Sequence, residues 1–399
     1  MMLKAYKYRI YPNKDQEIAL SQSFGSCRYI YNKGLAYKIE KYKNDKESVS
    51  YNKLNSLLKE LKQDIDWLRL PPSQSLQQSL RNLDTAYKNF FRRNKKGLSK
   101  GFPKFKRKFD KQTLSLPQGV SLDFKDSKII LPKIGRVFAV LHRKFKGKIK
   151  TCVVSKTKSN KYFCSVLVEN DENIPTKTPI EFITDKDVIA LDVGISHFLT
   201  DSKGNKVENP KFYHRSLEKL KRLQRKLSKL KKRSENYSKM KLRIAKLHEY
   251  ISNCRKDFLH KLSSNIVNDN QVIIVEDLNV ENMKTDTYKS LARNISDVSW
   301  SEFFRMLEYK SLWRGKYYIK VNPRNTSKKC SICGKINKNL KLSDREWQCS
   351  HCHSKHDRDF NASINILKLG FKKLGQELPE FQNALNENVY SFSIGSSSL

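Results

Sequence analysis

Two pairs of cysteines near the carboxyl end constrain the fold of this chain more tightly than any other feature. Each pair has C-x-x-C spacing and fifteen residues separate the pairs, which are Cys330 with Cys333 and Cys349 with Cys352. Thiolates at this spacing can surround one tetrahedral Zn²⁺. Because cysteine fills all four ligand positions, the predicted zinc is structural and leaves no open position for catalysis. The alternative, disulfides or a redox pair, is disfavoured in a reducing cytosol.

The other cysteines and the neighbouring histidines are not predicted to carry chemistry. Four cysteines are scattered through partly apolar stretches, namely Cys27, Cys152, Cys164 and Cys254. In a reducing cell we expect them to be small buried hydrophobic side chains. Three histidines lie within or just after the second pair, namely His351, His353 and His356. Beside a complete zinc site we expect them to be surface residues.

The charge of the chain indicates a polyanionic partner. The 399 residues include 80 Lys and Arg against 40 Asp and Glu, so the formal net charge is +40. A field of this sign and size attracts nucleic acid, and a basic protein of the membrane surface is the competing interpretation. The sequence has no apolar run long enough to span a bilayer, and its first residues lack the apolar core of a signal peptide. We therefore predict a cytosolic protein with no membrane partner.

The first half of the sequence passes from a strand pattern to a helical pattern and back. Residues 1–11 alternate basic with apolar or aromatic residues, as an edge strand would. From residue 14 to about residue 94, apolar residues recur every three or four positions, with a break at Pro71 and Pro72. Residues 113–173 return to strand patterns. Together with the first strand, these strands could close a small β-barrel.

A basic loop lies between the helical and strand regions, over residues 95–112. Its sequence, KKGLSKGFPKFKRKFDKQ, interleaves lysine and arginine with three phenylalanines. We expect Lys104, Lys106 and Arg107 to neutralise phosphates there, while the rings stack on bases or anchor the loop. The alternative is a solvated loop whose phenylalanines pack in the core.

Two apolar strands in the second half each end on an acid. The sequence VIAL is followed by Asp192, and the strand of residues 272–275 is followed by Glu276. A carboxylate at the end of a buried strand is unfavourable unless it binds something positive. The alternative for Asp192 is an ordinary cap of a strand end or turn. Asp277 should point to the opposite face from Glu276, because side chains alternate along a strand.

Two long amphipathic helices separate these strands. Leucines recur every three or four residues from Leu217 to Leu230, and apolar residues do so again from Met240 to Ile266. The sequence SENYS, residues 234–238, is the predicted turn of an antiparallel helical hairpin. The outer face of the first helix is dense in lysine and arginine, which favours phosphate contact over simple solvation.

A third acid follows the second cysteine pair, in the stretch HDRDFNASINIL of residues 356–367. Either Asp357 or Asp359 could join Asp192 and Glu276. Clustered carboxylates bind Mg²⁺ through hard oxygens, and two such ions can hold the attacking and leaving oxygens of a phosphodiester. Three carboxylates on a mixed sheet flanked by helices are typical of ribonuclease H-like nucleases. The spacing of the acids in the sequence permits this arrangement.

These segments together resemble the TnpB (OrfB) family, transposon-encoded RNA-guided DNA endonucleases related to the type V CRISPR effectors. The matching motifs run from KAYKYRIYPNKDQ, FGSCRYIYNKGL and FPKFKRKF through LPKIG, ALDVG and VIIVEDLNVENM to NPRNTSKKCSICG and CSHCHSKHDRDFNASINIL. The resemblance implies that Asp192, Glu276 and Asp359 are the catalytic residues and the ligands of two Mg²⁺ ions. A helix starting near Asp359 would turn its carboxylate toward the strand-end acids, and Asp357 would lie in the preceding turn.

The resemblance also implies an α+β multidomain architecture. Its parts are a wedge-like β-barrel over residues 1–13 and 113–184, an inserted helical recognition domain with the basic loop over 14–112, a ribonuclease H-like (RuvC) α/β domain over 185–325 and 356–370, and an inserted four-cysteine zinc finger over 326–355. Residues 371–399 are expected to form a disordered tail.

The activity implied by the resemblance is cleavage of double-stranded DNA beside a short target-adjacent motif, directed by a guide RNA from the transposon end. In the family the motif-reading surface includes the helix of LPPSQSLQQSL, and we expect Tyr51, Gln74 and Gln77 to contact DNA. One protein copy per complex is expected. The alternatives are a guide-directed repressor without cleavage, against which the three intact acids argue, and a guide-independent transposase or nuclease accessory.

Overall fold

The structure, a computed structural model, describes residues 2–95, 101–341 and 343–375. The chain is mixed α/β and divides into two units, with the boundary between Asn173 and Ile174. Most of the predicted tail, from residue 376 onward, lies outside the described residues.

The first unit contains a seven-stranded antiparallel sheet. Its strands are β1 (Met2–Tyr11), β2 (Gln112–Leu116), β3 (Ser121–Asp123), β4 (Lys128–Leu131), β5 (Gly135–Val140), β6 (Lys148–Lys156) and β7 (Tyr162–Asn170). Their order across the sheet is β2-β6-β7-β1-β5-β4-β3. Within the part of the chain that the structure describes, β2 and β3 do not pair with each other. Backbone pairing therefore leaves this sheet open, unlike the closed barrel expected from the sequence.

Strand β1 is central in this sheet, so the prediction of an edge strand is wrong. It pairs with β7 along its length and with β5 near its end. Tyr8 and Ile10 are fully buried, whereas Lys7 and Arg9 lie over the ring of Phe163 on the other face. The alternation of basic and apolar residues reflects burial of one face, which a central antiparallel strand can also have.

Three helices complete the first unit. They are α1 (Lys14–Asp45), α2 (Tyr51–Asp64) and α3 (Ser73–Lys95), with a short 3₁₀ helix, Asp66–Arg69, before the third. Helix α1 begins with a capping box formed by Asn13 and Gln16, and α3 begins directly after the Pro71–Pro72 break. The helices and the sheet share one apolar core. The predicted helical region is confirmed.

The second unit is built on a five-stranded mixed sheet. Its strands are β8 (Val188–Val193), β9 (His197–Asp201), β10 (Lys206–Glu208), β11 (Val272–Glu276) and β12 (Tyr317–Val321), in the order β10-β9-β8-β11-β12. The first three form an antiparallel meander, and β11 lies parallel to both β8 and β12. A separate two-stranded ribbon pairs β13 (Glu346–Gln348) with β14 (Lys355–Asp357).

Six helices surround this sheet in the described residues. They are α4 (Phe212–Ser228), α5 (Glu235–Asp269), α6 (Val280–Thr285), α7 (Lys289–Val298), α8 (Trp300–Trp313) and α9 (Arg358–Gly375). The turn between α4 and α5 precedes its predicted place, because Ser234 caps α5 by accepting a hydrogen bond from the Tyr237 N–H. None of the described helices combines the length and the apolar character needed to cross a bilayer.

Alternate residues of the central strands pack in two different hydrophobic cores, one on each face of the sheet. Ile273 and Val275 of β11 pack in the core that includes residues of α5, α7 and α8. Val272 and Ile274 pack in the core that includes residues of α9. The same alternation places the next even-numbered position of each strand, Glu276 in β11 and Asp192 in β8, on the α9 side of the sheet.

Two predicted limits differ from the structure. The segment 174–184, expected in the barrel domain, belongs to the second unit because Ile180 and Ile183 pack in the core beneath α9. Helix α9 continues five residues into the predicted disordered tail, because Phe371 and Leu374 are buried in that same core. Burial of these apolar side chains provides the reason for the helix to continue.

Candidate metal centres

The strand register brings two of the three predicted acids side by side. Strands β8 and β11 are parallel, and the last paired residues are Leu191 and Val275. Asp192 and Glu276 are the next residues of their strands, so they lie at the same carboxyl edge of the sheet. They also face the same side, that of α9. This edge is where ligands bind in sheets that contain parallel strands.

Glu276 is deeply buried. Its side chain is only 8% exposed, and its Oε1 accepts a hydrogen bond of 2.5 Å from Thr326 Oγ1. Burial raises the pKa of this carboxyl, and the Thr326 hydrogen bond partly offsets that rise. The neighbouring Asp277 carboxylate is exposed and lies 3.8 Å from Lys320 Nζ, consistent with the expected change of face.

The surroundings of Asp192 disfavour its charged form. Desolvation raises its pKa well above the usual value, the Glu276, Asp359 and Asp357 carboxylates raise it further, and Arg358 lowers it. The effects of Glu276 and Asp359 indicate that the three predicted acids share one electrostatic environment. A cation bound at this position would relieve both the desolvation and the repulsion.

The two aspartates at the start of α9 have different partners. Asp357 caps the helix, because its Oδ1 accepts the Phe360 N–H at 2.9 Å, and its Oδ2 pairs with Lys206 Nζ at 2.6 Å. Burial raises the pKa of Asp357, but these donors outweigh it and the net pKa is lowered. Asp359 lies in the first turn with its side chain 18% exposed, 3.6 Å from Arg345 Nη1.

The acidic group is more open than the cysteine group. Among the described residues, only the four cysteines form a set whose ligand atoms all lie within 4.8 Å of one another. The three carboxylates do not meet that limit for a single ion. They do supply the oxygen donors that Mg²⁺ prefers, and a pair of ions about 4 Å apart spans a wider set of ligands.

The four sulfur atoms have the spacing of a tetrahedral zinc site. Cys330 Sγ lies 3.6 Å from Cys352 Sγ, and Cys333 Sγ lies 3.5 Å from Cys349 Sγ. Four sulfurs at about 2.3 Å from one zinc would be separated by about 3.8 Å. The donor set and its geometry therefore fit a structural zinc ion.

Each cysteine pair lies in a tight turn, called a knuckle below, and the two knuckles share the same backbone conformation. The residue four positions after the first cysteine of each pair, Gly334 and His353, has a positive φ, +76° and +57°. Each donates its N–H to the carbonyl oxygen of that first cysteine, at 3.0 Å in the first knuckle and 2.9 Å in the second. Glycine adopts this left-handed conformation readily and histidine only at a cost.

His356 does not lie on the surface, so that expectation is wrong. The side chain is 8% exposed, and its Nε2 lies 3.1 Å from Cys330 Sγ and 2.9 Å from Ser354 Oγ. Its ring packs against Trp347 at 4.7 Å between centroids. His356 thus supports a zinc ligand. His351 and His353 are exposed, as predicted.

Two asparagines of α9 were not identified from the sequence. Asn361 and Asn365 are 1% and 5% exposed, and both donate to backbone carbonyl groups in the segment before the first knuckle. Their spacing of four residues places them on one face of the helix. That spacing, between two buried polar side chains within an apolar helix, was the available signal.

The residues expected to read DNA lie on accessible parts of the first unit. Gln74 is exposed and donates to Gln118 Oε1 at 3.0 Å, and Gln77 is half-buried. The hydroxyl of Tyr51 accepts a hydrogen bond from Arg81 at 3.3 Å, and the guanidinium lies over the ring. Both contacts would compete with DNA for these side chains.

The backbone of the basic loop is bonded to helix α1 at Lys106, and most of the loop's described side chains are exposed. Lys106 has its backbone bonded to the Asn32 side chain, and its Nζ lies 3.9 Å from the centroid of the Tyr31 ring. Lys104 and Arg107 are exposed, although Arg107 pairs with Asp110. Phe102, Phe105 and Phe109 are all exposed, and Phe102 packs edge-on against Tyr87 and Phe90 of α3. The alternative that these phenylalanines pack in the core is therefore wrong, and the contacts with phosphates and bases stay predictions. Residues 96–100 of the predicted loop lie outside the described residues.

Comparison with known sequences identifies relatives over nearly the whole chain. The sequence is 34% identical to "Putative RNA-guided DNA endonuclease InsQ" of Escherichia coli K12, over 92% of each chain. It is also 34% identical to "Putative RNA-guided DNA endonuclease" of Streptomyces pristinaespiralis, over 92% of this chain and 89% of the relative. Residues 165–287 match the family described as "Probable transposase" (OrfB_IS605), and residues 300–366 match "Cas12f1-like, TNB domain".

Comparison of folds identifies a solved structure with a similar fold. A Cas12f1–sgRNA–target DNA complex contains a chain with a TM-score of 0.50 and 16% identity, covering 92% of this chain and 98% of that one. Residues 1–47 also match a family described as "Helix-turn-helix domain". In this structure those residues contain strand β1 and a single uninterrupted helix, α1, of 32 residues.

Proposed function

The chain belongs to the TnpB (OrfB) family, and we propose that it is an RNA-guided DNA endonuclease that cleaves double-stranded DNA beside a short target-adjacent motif. Two relatives that match nearly the whole chain carry the name RNA-guided DNA endonuclease, and the similar fold comes from a complex with guide RNA and target DNA. The net charge of +40 supports partners of this kind.

The observation that supports the nuclease assignment is that Asp192 and Glu276 reach one edge of the sheet. Parallel register leads Asp192 and Glu276 to the same edge and face, and Asp359 raises the pKa of Asp192 from the first turn of α9. The strand order β10-β9-β8-β11-β12, with three antiparallel strands followed by parallel ones, supports a ribonuclease H-like (RuvC) assignment for this unit.

The proposed chemistry is hydrolysis of a phosphodiester by water. Asp192, Glu276 and Asp359 would hold two Mg²⁺ ions, which supply charge stabilisation for the attacking and leaving oxygens. Thr326 holds the Glu276 carboxylate in a buried position, and the Asp192 and Asp359 carboxylates are partly buried, where a cation would neutralise their repulsion. Arg345, 3.6 Å from Asp359, adds a positive charge beside the site. The zinc held by the four cysteines would be structural.

The remaining parts of the proposal concern nucleic acid and assembly. We assign guide and target binding to a monomer with a wedge-like domain (1–13 and 113–184, less the segment that packs under α9), a recognition domain (14–112), a RuvC domain (185–325 and 356–370) and a zinc finger (326–355). The proposed contacts to DNA or RNA are Tyr51, Gln74, Gln77, Lys104, Lys106 and Arg107. Lys106 and Tyr51 would have to leave Tyr31 and Arg81 to make them.

The test is cleavage by the protein isolated with the RNA that copurifies from cells expressing its locus. Sequencing that RNA gives the guide, and a plasmid carrying the matching target beside randomised flanking bases gives the motif. We expect Mg²⁺-dependent cutting by the wild type and a loss of at least about 10³-fold in Asp192→Ala. Asp277→Ala, which removes the exposed carboxylate next to Glu276, is the matched control and should cut normally.

Each result separates this proposal from its alternatives. Guide-dependent binding without scission by the wild type would favour a repressor. Scission that does not depend on the copurified RNA would favour a guide-independent nuclease. Undiminished cutting by Asp192→Ala would remove the acidic site from the mechanism.

A further inference from the structure

The Glu276 carboxylate accepts a hydrogen bond from a neighbouring hydroxyl, that of Thr326. Thr326 is 4% exposed, and its Oγ1 lies 2.5 Å from Glu276 Oε1 and 3.1 Å from the carbonyl oxygen of Pro323. A hydroxyl has one proton to donate, and the shorter contact to a charged acceptor is the stronger one. The carboxylate therefore receives it. A buried carboxylate keeps a fixed rotamer where such donors are themselves held in place.

Helix α9 holds Thr326 in place. Asn365 Nδ2 donates to the carbonyl oxygen of Thr326 at 2.9 Å and to that of Lys329 at 2.6 Å. One turn earlier, Asn361 Nδ2 donates to the same Lys329 oxygen at 2.8 Å. Asn361 Oδ1 accepts the N–H of Ser331 at 2.8 Å. Residues 326–331, the strap, are thus fastened to α9 along their length.

The strap connects the two candidate metal centres. It begins at the residue that contacts Glu276 and includes Cys330, a ligand of the predicted zinc. Helix α9, to which the strap is fastened, carries Asp359 two residues before Asn361. A displacement of the strap would therefore change the distance between the carboxylates of Glu276 and Asp359.

We propose that Thr326 is a positioning residue that orients Glu276 for divalent-cation binding, and that the strap transmits the order of the zinc knuckle to the acidic site. The proposal rests on the proposed function, because it assigns Glu276 to cation binding. Removal of a residue that orients a ligand typically lowers metal affinity or activity by about 10- to 100-fold.

The test uses the full zinc-loaded chain and Mn²⁺ as the probe, with bound Mn²⁺ followed by electron paramagnetic resonance. Thr326→Val keeps the shape of the side chain and removes the hydroxyl, and we expect it to weaken Mn²⁺ binding by about 10- to 100-fold. Thr326→Ser restores the donor and should bind within about threefold of the wild type. Thr285→Val, at an exposed threonine of α6, is the matched control and should leave Mn²⁺ binding unchanged.

A double-mutant cycle distinguishes orientation from general destabilisation. In a Glu276→Ala background, Thr326→Val should cause no further loss of Mn²⁺ affinity, because the carboxylate that Thr326 orients is absent. Zinc content should stay at one ion per chain in every variant. Thr326→Ala serves as a second hydroxyl-free variant, and the proposal requires the same loss in whichever of the two folds.

Different results would overturn the proposed function and the proposed role of Thr326. Wild-type Mn²⁺ affinity in Glu276→Gln would overturn the assignment of the acidic site. Weak binding in Glu276→Gln with normal binding in Thr326→Val would overturn the positioning role alone. An equal loss in Thr326→Ser and Thr326→Val would also overturn it, because the serine retains the hydroxyl.

Discussion

At the scale of single residues, the partners of a carboxylate decide what it can do. Asp357 and Asp359 are two positions apart, yet their partners differ. Asp357 accepts a hydrogen bond from a helix N–H and pairs with Lys206. Asp359 lies near Arg345 and raises the pKa of Asp192. Asp192 is destabilised by burial and by its acidic neighbours. Residues held in an unfavourable state of this kind are typical of functional sites.

The unfavourable environment of the Asp192 carboxylate should make the stability of the folded protein depend on pH. Because the pKa of Asp192 is raised in the folded state, the folded protein binds a proton that the unfolded chain releases. The stability from this carboxyl is full below its unfolded pKa of about 4 and is lost as the pH rises through the folded value. In Mg²⁺-free buffer, Asp192→Asn should raise the Tm by at least about 2 °C at pH 8 and by less at pH 5.

The exposed carboxylate of Asp277 provides the control for this measurement. Asp277→Asn should show no gain that depends on pH, because its side chain is 67% exposed. Equal changes in Tm at both pH values for Asp192→Asn would contradict the assignment of a raised pKa.

At the scale of elements, helix α9 organises the second unit. Its first turn carries Asp359, its middle holds the strap through two asparagines, and its last turns pack on the central sheet. Gly370 makes the closest approach, since a Cβ built there would lie 2.2 Å from Ile274 Cδ1. The helix therefore lies directly on β11, the strand that ends in Glu276.

Substitution at Gly370 should be destabilising even though alanine favours helices. We expect Gly370→Ala to lower the free energy of unfolding by about 1–3 kcal/mol, the usual cost of overpacking. Gly25→Ala in α1 is the matched control, because its added Cβ would meet only Arg28 Nη2 at 3.9 Å. It should stabilise by about 0.4–1 kcal/mol. Denaturant unfolding measures both, and equal effects would refute the close packing of α9.

The start of α9 should depend on the Asp357 cap. Asp357→Ala removes both the acceptor for the Phe360 N–H and the partner of Lys206, and should cost about 1–2 kcal/mol. Asp357→Asn keeps the acceptor and should cost less. Because the pKa of Asp357 is lowered in the folded state, its contribution is present above the unfolded pKa and is lost as the pH falls through the folded value.

Thermal unfolding from pH 3 to pH 7 measures this contribution of Asp357 to stability.

DNA cleavage by Asp357→Asn should remain near the wild-type rate, whereas Asp359→Asn should lose cleavage activity. The reverse result would exchange the roles of the two residues.

At the scale of the whole molecule, charge dominates the expected behaviour. Eighty basic residues against forty acidic ones leave a net charge of +40, while Asp192 and Glu276 lie at one sheet edge. A polyanion would be attracted from any direction by such a field. The proposed cation site at these acids would lie within a strongly basic chain.

Binding to a random DNA duplex should therefore depend steeply on salt. A protein that makes 6–10 phosphate contacts loses about 10³- to 10⁵-fold in affinity between 50 and 200 mM salt, and we expect a loss in this range. Fluorescence anisotropy with a labelled duplex measures it. Asp192→Asn should give the same slope, and a slope near zero would exclude a mainly electrostatic interaction.

Local sequence determined the features whose ligands or patterns lie within short segments. The spacing of the cysteine pairs was sufficient to predict the set of four sulfurs. The apolar runs before Asp192 and Glu276 predicted two buried strands, of which β11 ends on Glu276 and β8 continues one residue past Asp192. These predictions succeeded because C-x-x-C spacing and strand alternation are properties of neighbouring residues.

Only the tertiary structure decided which distant groups meet. Parallel pairing of β8 with β11 placed Asp192 beside Glu276, and the docking of α9 supplied contacts of Thr326. Pairing of β13 with β14 placed His356 against Trp347, next to Cys330. No local pattern records these contacts, because each joins separate segments of the sequence. These contacts arise because whole helices and strands pack against one another and thereby fix the positions of their side chains. The sequence identifies candidate residues, but it does not give their distances from one another.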